Sequence, residues 1–255
     1  MLPRTRLMLL RRILCGWFLA CVLFPSPLQA ADRYSDAVLQ DAFLKTVFDV
    51  EYSDGFLSWF GGVNAHVKKY IVPVRFHIMN LSRTNRLGTA QHFVLSLNSS
   101  IRGIAVQLVG RAELANFRVF IVDREQYVAV ARHEIFRDPT ALVPGKCMVQ
   151  VDSDGLGRIT ASTAVIVADE GEYLFRRCLI EEVLQGLGPL NDHDDLADSI
   201  FNDYSSHSRF TRLDRFILNM LYDPRIQPGM RAEETLSFLP FIIRDARRTI
   251  QAQSR

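Results

Sequence analysis

Glu181 and Glu182 stand side by side in the chain, Gln185 follows one helical turn later, and Asn191 and Asp192 come just after Gly188-Pro189. Carboxylates crowded in this way raise one another's pKa and come to share a proton, which is how paired acids serve as general acid and base. Glu181, Glu182 and Asp192 also offer an oxygen-only donor set. It suits hard ions such as Ca2+, Mg2+ or Mn2+ and not zinc, which takes imidazole or thiolate. No zinc site is expected here, and no cofactor is assigned beyond those three ions as options. Tyr222 and Arg225, within Tyr222-Asp223-Pro224-Arg225, are candidate donors to an oxyanion; the alternative is a structural stop in which Arg225 pairs with a carboxylate.

These residues need a helix and a sharp turn to position them. At 100° per residue, Cys178, Glu181, Glu182 and Gln185 share one face, while Leu179, Ile180, Val183, Leu184 and Leu187 share the opposite one. The plain reading is a stripe facing water. Two details favour a covered cleft instead: Cys178 lies on the polar stripe, and Gly188-Pro189 ends the helix and can send Asn191 and Asp192 back beneath it. The acidic run Asp192, Asp194, Asp195 and Asp198, with His193 among it, reads as a solvated loop or a weak cation site.

The remaining elements follow from periodicity. Helices are expected over 36–48 and 88–97, with a short one over 124–132, and strands over 72–78, 117–122, 147–151 and 159–168. A loop is expected through Tyr52-Ser53-Asp54-Gly55. Asp152-Ser153-Asp154-Gly155 reads as a hairpin turn in preference to a calcium loop. Thr211 caps a helix that Pro224 brings to an end, and a last helix runs from Ala232 to about Ala252, its basic end (Arg244, Arg247, Arg248, Arg255) a solvated face. Strands first and helices after describe an α+β fold with no alternating parallel sheet. The six histidines are scattered, and neither a phosphate-binding glycine loop nor a nucleophile turn is present.

The first thirty residues read as a secretory signal. Arg4, Arg6, Arg11 and Arg12 precede a short apolar run from Ile13 to Phe24, with small residues up to Ala30-Ala31. The expected division is a signal over 1–30 and one domain over 31–255. The run is too short to cross a bilayer comfortably, so no membrane span is expected after cleavage. Removal of four Arg takes the formal charge from +2 to −2, which leaves no positive excess for nucleic acid. Only Cys147 and Cys178 then remain, and two cysteines in an exported chain most simply form one disulfide, a metal or catalytic pair being the competing reading.

The spacing Glu181-Glu182-x-x-Gln185-x-x-Gly188-x-x-Asn191-Asp192 resembles the metzincin zinc-protease motif H-E-x-x-H-x-x-G-x-x-H-D. Glu182, Gly188 and Asp192 match it; the three ligand positions read Glu181, Gln185 and Asn191. The chain also resembles exported bacterial domain-of-unknown-function family 2927, itself similar to the metzincin-like peptidases. That resemblance rests on Cys178-x-x-Glu181-Glu182-x-x-Gln185-x-Leu187-Gly188, on Ser199-Ile200-Phe201-Asn202, on Leu213-Asp214, on Leu221-Tyr222-Asp223-Pro224-Arg225 and on Pro228-Gly229-Met230, with Phe48-Asp49-Val50-Glu51-Tyr52 near the start.

What the resemblance implies is a zincin-like fold, a mixed twisted sheet packed on helices, with a degenerate active-site helix on which Glu182 is the one catalytic candidate. Without a bound metal, Glu182 has no activated water to deprotonate. The expected function is a non-catalytic module of the periplasm or extracellular space that grips a peptide or protein partner in the cell envelope. The alternatives are a hydrolase with carboxylate-based or non-zinc metal chemistry, and a purely structural role for the acidic stripe.

Overall fold

A computed structural model describes residues 33–48, 50–53, 56–59 and 66–253. The signal reading, Asp49 and Arg255 lie outside the described residues.

Helix α1 (Asp36–Phe48) is followed by a two-stranded antiparallel ribbon, β1 (Val50–Ser53) and β2 (Phe56–Trp59), where the sequence suggested a loop. The main sheet is built from β3 (Val74–Asn80), β4 (Val106–Leu108), β5 (Phe117–Val122), β6 (Cys147–Ser153) and β7 (Ile159–Val167), in the order β4-β3-β5-β7-β6. Helix α2 (Leu87–Ser100) connects β3 to β4, and α3 (Arg124–Ala131) follows β5. The C-terminal part holds α4 (Glu172–Gln185), α5 (Arg212–Leu221), α6 (Ala232–Leu236) and α7 (Leu239–Gln253).

The fold is mixed α+β, and two expectations are corrected. The pairs β3/β4, β3/β5 and β5/β7 are parallel, and only β6 runs antiparallel, against β7. The first half of the chain therefore does contain parallel crossover units, since parallel neighbours need a connection long enough to return to the same end of the sheet. The last helix is also broken: α6 ends at Leu236 and α7 starts at Leu239, with Pro240 in its first turn, where a missing N–H costs no helical hydrogen bond.

Alternation along the strands divides the core. Phe117, Val119, Ile121, Ala164 and Ile166 face the main core with α4, whereas Phe120, Val122, Val165 and Val167 face Tyr127 of α3. Strand β7, paired on both sides, is buried without a break from Ser162 to Val167, as expected for an inner strand covered on both faces. The β6–β7 turn is the expected hairpin: Asp154 accepts the N–H groups of Leu156 and Arg158 and pairs with the Arg158 guanidinium, so its carboxylate stabilises the turn.

Cys147 at the start of β6 is joined to Cys178 of α4. A cross-link over 31 residues is worth on the order of 3–4 kcal/mol in the chain-entropy model. It also fixes the polar side of α4 against the sheet edge. No helix among the described residues is long and apolar enough to cross a membrane.

Candidate functional site

Helix α4 ends at Gln185, just short of the Gly188-Pro189 stop that the sequence suggested, and Gly186 packs on β5. A Cβ there would lie 2.3 Å from Phe117 Cζ, so only glycine allows this approach. Gly188 then takes φ +134, with no room for a side chain against the Lys68 carbonyl, and this turns the chain back along the helix. The Asn191 N–H and its Nδ2 both donate to the Thr46 carbonyl of α1, at 3.1 Å each, which holds the returning loop in place.

That loop covers the polar stripe, so the water-facing reading is overturned: Glu181, Glu182 and Gln185 are 7%, 6% and 8% exposed. Every residue from Arg177 to Gln185 is buried, which makes α4 a central helix.

Arg177 straps the loop to α4. Its guanidinium donates to Glu181 Oε1 (3.3 Å) and to the carbonyls of Asn202 (3.0 Å), Ser205 (3.2 Å) and His207 (3.3 Å). Gln185 Nε2 donates to both carboxylate oxygens of Asp192 at 2.9 Å. Asp203 lies on the same loop, 3.9 Å from Arg177, and one oxygen each from Glu181, Asp192 and Asp203 lie within 4.8 Å of one another. Glu182 differs from all of these, because among the described residues no side chain or backbone N–H donates to its carboxyl.

The electrostatics follow from this packing. Burial, followed by Glu181, Asp192 and Asp203 nearby, holds the Glu182 carboxyl well above the usual range, with Arg177 opposing weakly. Glu181 is pushed up to about 7, mainly by burial, with Arg177 pulling it down and Asp192 and Asp203 pushing it further up. Asp192 is exposed as a residue, yet its carboxylate is crowded by protein and sits at about 6; Asp203 adds to the rise and Gln185 opposes it. Near neutral pH the cluster thus holds protons on some carboxyls and charge on others, and a positive group brought to it would displace those protons.

The sequence-derived residues separate into three groups. Glu181, Glu182, Gln185 and Asp192 come together. Asn191 anchors the loop, its N–H and its side-chain amide both donating to the Thr46 carbonyl. Tyr222 and Arg225 are engaged elsewhere: the Tyr222 hydroxyl, fully buried, donates to the Leu187 carbonyl, and Arg225 pairs with Asp223 at 2.7 Å and Asp245 at 2.6 Å. Both line a separate cavity of about 750 Å³ with Lys69, Arg102 and Asn219. Of the acidic run, Asp195 pairs with Lys45 and Asp198 accepts from the Tyr34 hydroxyl, so only Asp192 joins the cluster.

Two members of the site were missed. Arg177 stands four residues before Glu181, a spacing that signals an ion pair on a helix. Asp203 follows directly on Asn202 but carries no local signal of its own.

Zinc does not fit these atoms. The cluster contains no imidazole and no thiolate, and Cys178 is committed to its disulfide. Hard divalent ions fit the oxygen set better.

A search of the curated proteins gives no match to the chain. A family model described as "Protein of unknown function (DUF2927)" matches residues 36–241, a span that runs from α1 into α7 and includes every residue of the carboxylate cluster. The chain belongs to the DUF2927 family.

Proposed function

We propose that this chain is a non-catalytic binding module of the periplasm or extracellular space, whose acidic mouth receives a cationic group of a peptide or protein partner. The observation that carries the reading is Glu182: a carboxyl 6% exposed, in the field of the Glu181, Asp192 and Asp203 carboxylates, with no donor among the described residues. Burial makes charge on this carboxyl costly. A lysine, arginine or amino terminus supplied by a partner would offset that cost. The exposed members, Asp192 and Asp203, give the partner access.

The match of Glu182, Gly188 and Asp192 to the metzincin motif supports placing the site as a degenerate zincin-like one. Glu181, Gln185 and Asn191 stand where that motif has its ligands, and each is engaged with protein: Glu181 with Arg177, Gln185 with Asp192, Asn191 with Thr46. The test is fluorescence anisotropy of a labelled lysine-rich peptide and of an acidic control peptide at pH 8. Binding of the basic peptide alone, weakened about tenfold in Asp192→Asn/Asp203→Asn, supports the proposal. Equal affinity in both proteins contradicts it, as does metal-dependent cleavage that Glu182→Gln abolishes.

A second reading is favoured by the placement of the Glu181, Asp192 and Asp203 oxygens within 4.8 Å of one another, which suits Ca2+, Mg2+ or Mn2+ and, with Glu182 next in the chain to Glu181, a hydrolase of altered chemistry. Thermal denaturation with each ion and with chelator separates the two. An upward shift with one ion supports the metal reading, and no shift with any of them removes it.

A further inference from the structure

On the opposite face of the sheet, α3 runs into a single π-helical turn, Arg132–Phe136, which ends at Arg137 in the left-handed conformation, φ 51 and ψ 30. Turns of this kind recur at functional positions. Arg137 is the only non-glycine residue at positive φ among the described residues. Position C′ after a helix normally takes glycine or asparagine, and any larger residue held there is strained by about 1–2 kcal/mol. A long cation at this point is thus a costly choice for the fold alone.

Arg137 lines a cavity of about 750 Å³ with Arg118, Arg132, His133, Glu134 and Asp138, and with Ala129 and Pro139 supplying apolar wall. That volume is in the range of small-molecule sites. The charges in it are unevenly matched. Glu134 is taken up by Arg118 at 2.9 Å and by His133 at 2.9 Å, and Arg118 also donates to the Thr163 hydroxyl. Asp138 uses Oδ1 for the Thr140 N–H and hydroxyl, although its field does reach Arg132. Arg132 commits only Nε, to the Ala141 carbonyl. Neither Arg132 nor Arg137 forms an ion pair with any described residue. Three guanidinium groups against two carboxylates leave the pocket net positive.

We infer that this pocket is a second binding site, for a small organic oxyanion. The forks of Arg132 and Arg137 grip the anionic group, and the apolar remainder lies against Ala129 and Pro139. Planar guanidinium forks match carboxylate and phosphate alike, so the probes must tell those two sources apart.

Citrate and inorganic phosphate, each against chloride at matched ionic strength, are titrated by calorimetry into the full chain and into Arg137→Gly. Because Arg137 is exposed and glycine suits its backbone, the variant folds and, without ligand, melts higher than wild type. The expected result is saturable binding of at least one probe to wild type, weakened about tenfold in the variant; a preference for citrate identifies carboxylate, a preference for phosphate a phosphoryl group. Unchanged affinity in Arg137→Gly, or no binding beyond chloride by either probe, overturns the inference. A variant that melts higher with no loss of binding leaves Arg137 as strain alone and also overturns it.

Discussion

Two buried carboxyls in this protein have opposite surroundings. Asp214, in the first turn of α5, is fully buried and accepts from the Ser199 hydroxyl (2.6 Å), the Ile200 N–H (3.1 Å) and the Thr211 N–H (2.8 Å), while Thr211 caps the helix in return. Burial still pushes Asp214 upward, but each of these donors opposes the rise. Glu182 on α4 has no such donor among the described residues, and its neighbours Glu181, Asp192 and Asp203 push it the same way as burial does. Asp214 is therefore part of the framework that shapes the 199–211 loop. Glu182 is a group the framework surrounds with further carboxylates and without a donor among the described residues, and that is where a ligand is to be sought.

The comparison can be broken by substitution. The largest effect is expected at Arg177, the buried guanidinium that serves both regions by tying the loop to α4 and facing Glu181. Arg177→Met should destabilise by about 3–5 kcal/mol in denaturant unfolding, since it strands Glu181 and three carbonyls. A loss under 1 kcal/mol would show that the strap contributes little. Next comes Asp214→Ala, which removes a capping box and the acceptor for Ser199 and Ile200; a loss of about 3 kcal/mol is expected.

Glu182→Gln should act in the other direction. Raised carboxyl pKa values stabilise the fold fully below the unfolded value, near 4.5 for glutamate, and that contribution is lost as pH rises through the folded value, about 7 for Glu181 and about 6 for Asp192. Wild-type stability should therefore fall between pH 5 and pH 8. Glu182→Gln should leave stability at pH 5 nearly unchanged and raise it by about 1–2 kcal/mol at pH 8. If the variant is instead less stable at both pH values, Glu182 behaves like Asp214 and the contrast fails.

Much of the frame was legible in the sequence. Phe117–Val122 and Ile159–Val167 announce strands by their β-branched and aromatic residues, Thr211 announces a cap, and Cys147 and Cys178 were the only pair left once the export reading removed the other two. Strand β4 escaped because three residues are too few to show alternation. The parallel sheet escaped because periodicity reports which face is buried and says nothing about which strands are neighbours.

At the site, α4 read as amphipathic because its sequence does alternate faces. What covers the polar face is the loop from Asn191 to His207, held by Arg177 and by Asn191 on Thr46, and those contacts span 25 to 145 residues. Local spacing contains no trace of them. For the same reason Asn191, Tyr222 and Arg225 looked available in sequence and turn out to be committed to the framework.

The most direct test is a carbon-13 NMR titration of the Glu182 side-chain carboxyl, assigned by its loss in Glu182→Gln. A resonance whose midpoint lies above the ordinary glutamate value, and which moves toward the shift of a carboxylate when a lysine-rich peptide is added, is the predicted result. A midpoint near 4.5, the ordinary glutamate value, or no response to the peptide, would contradict the account.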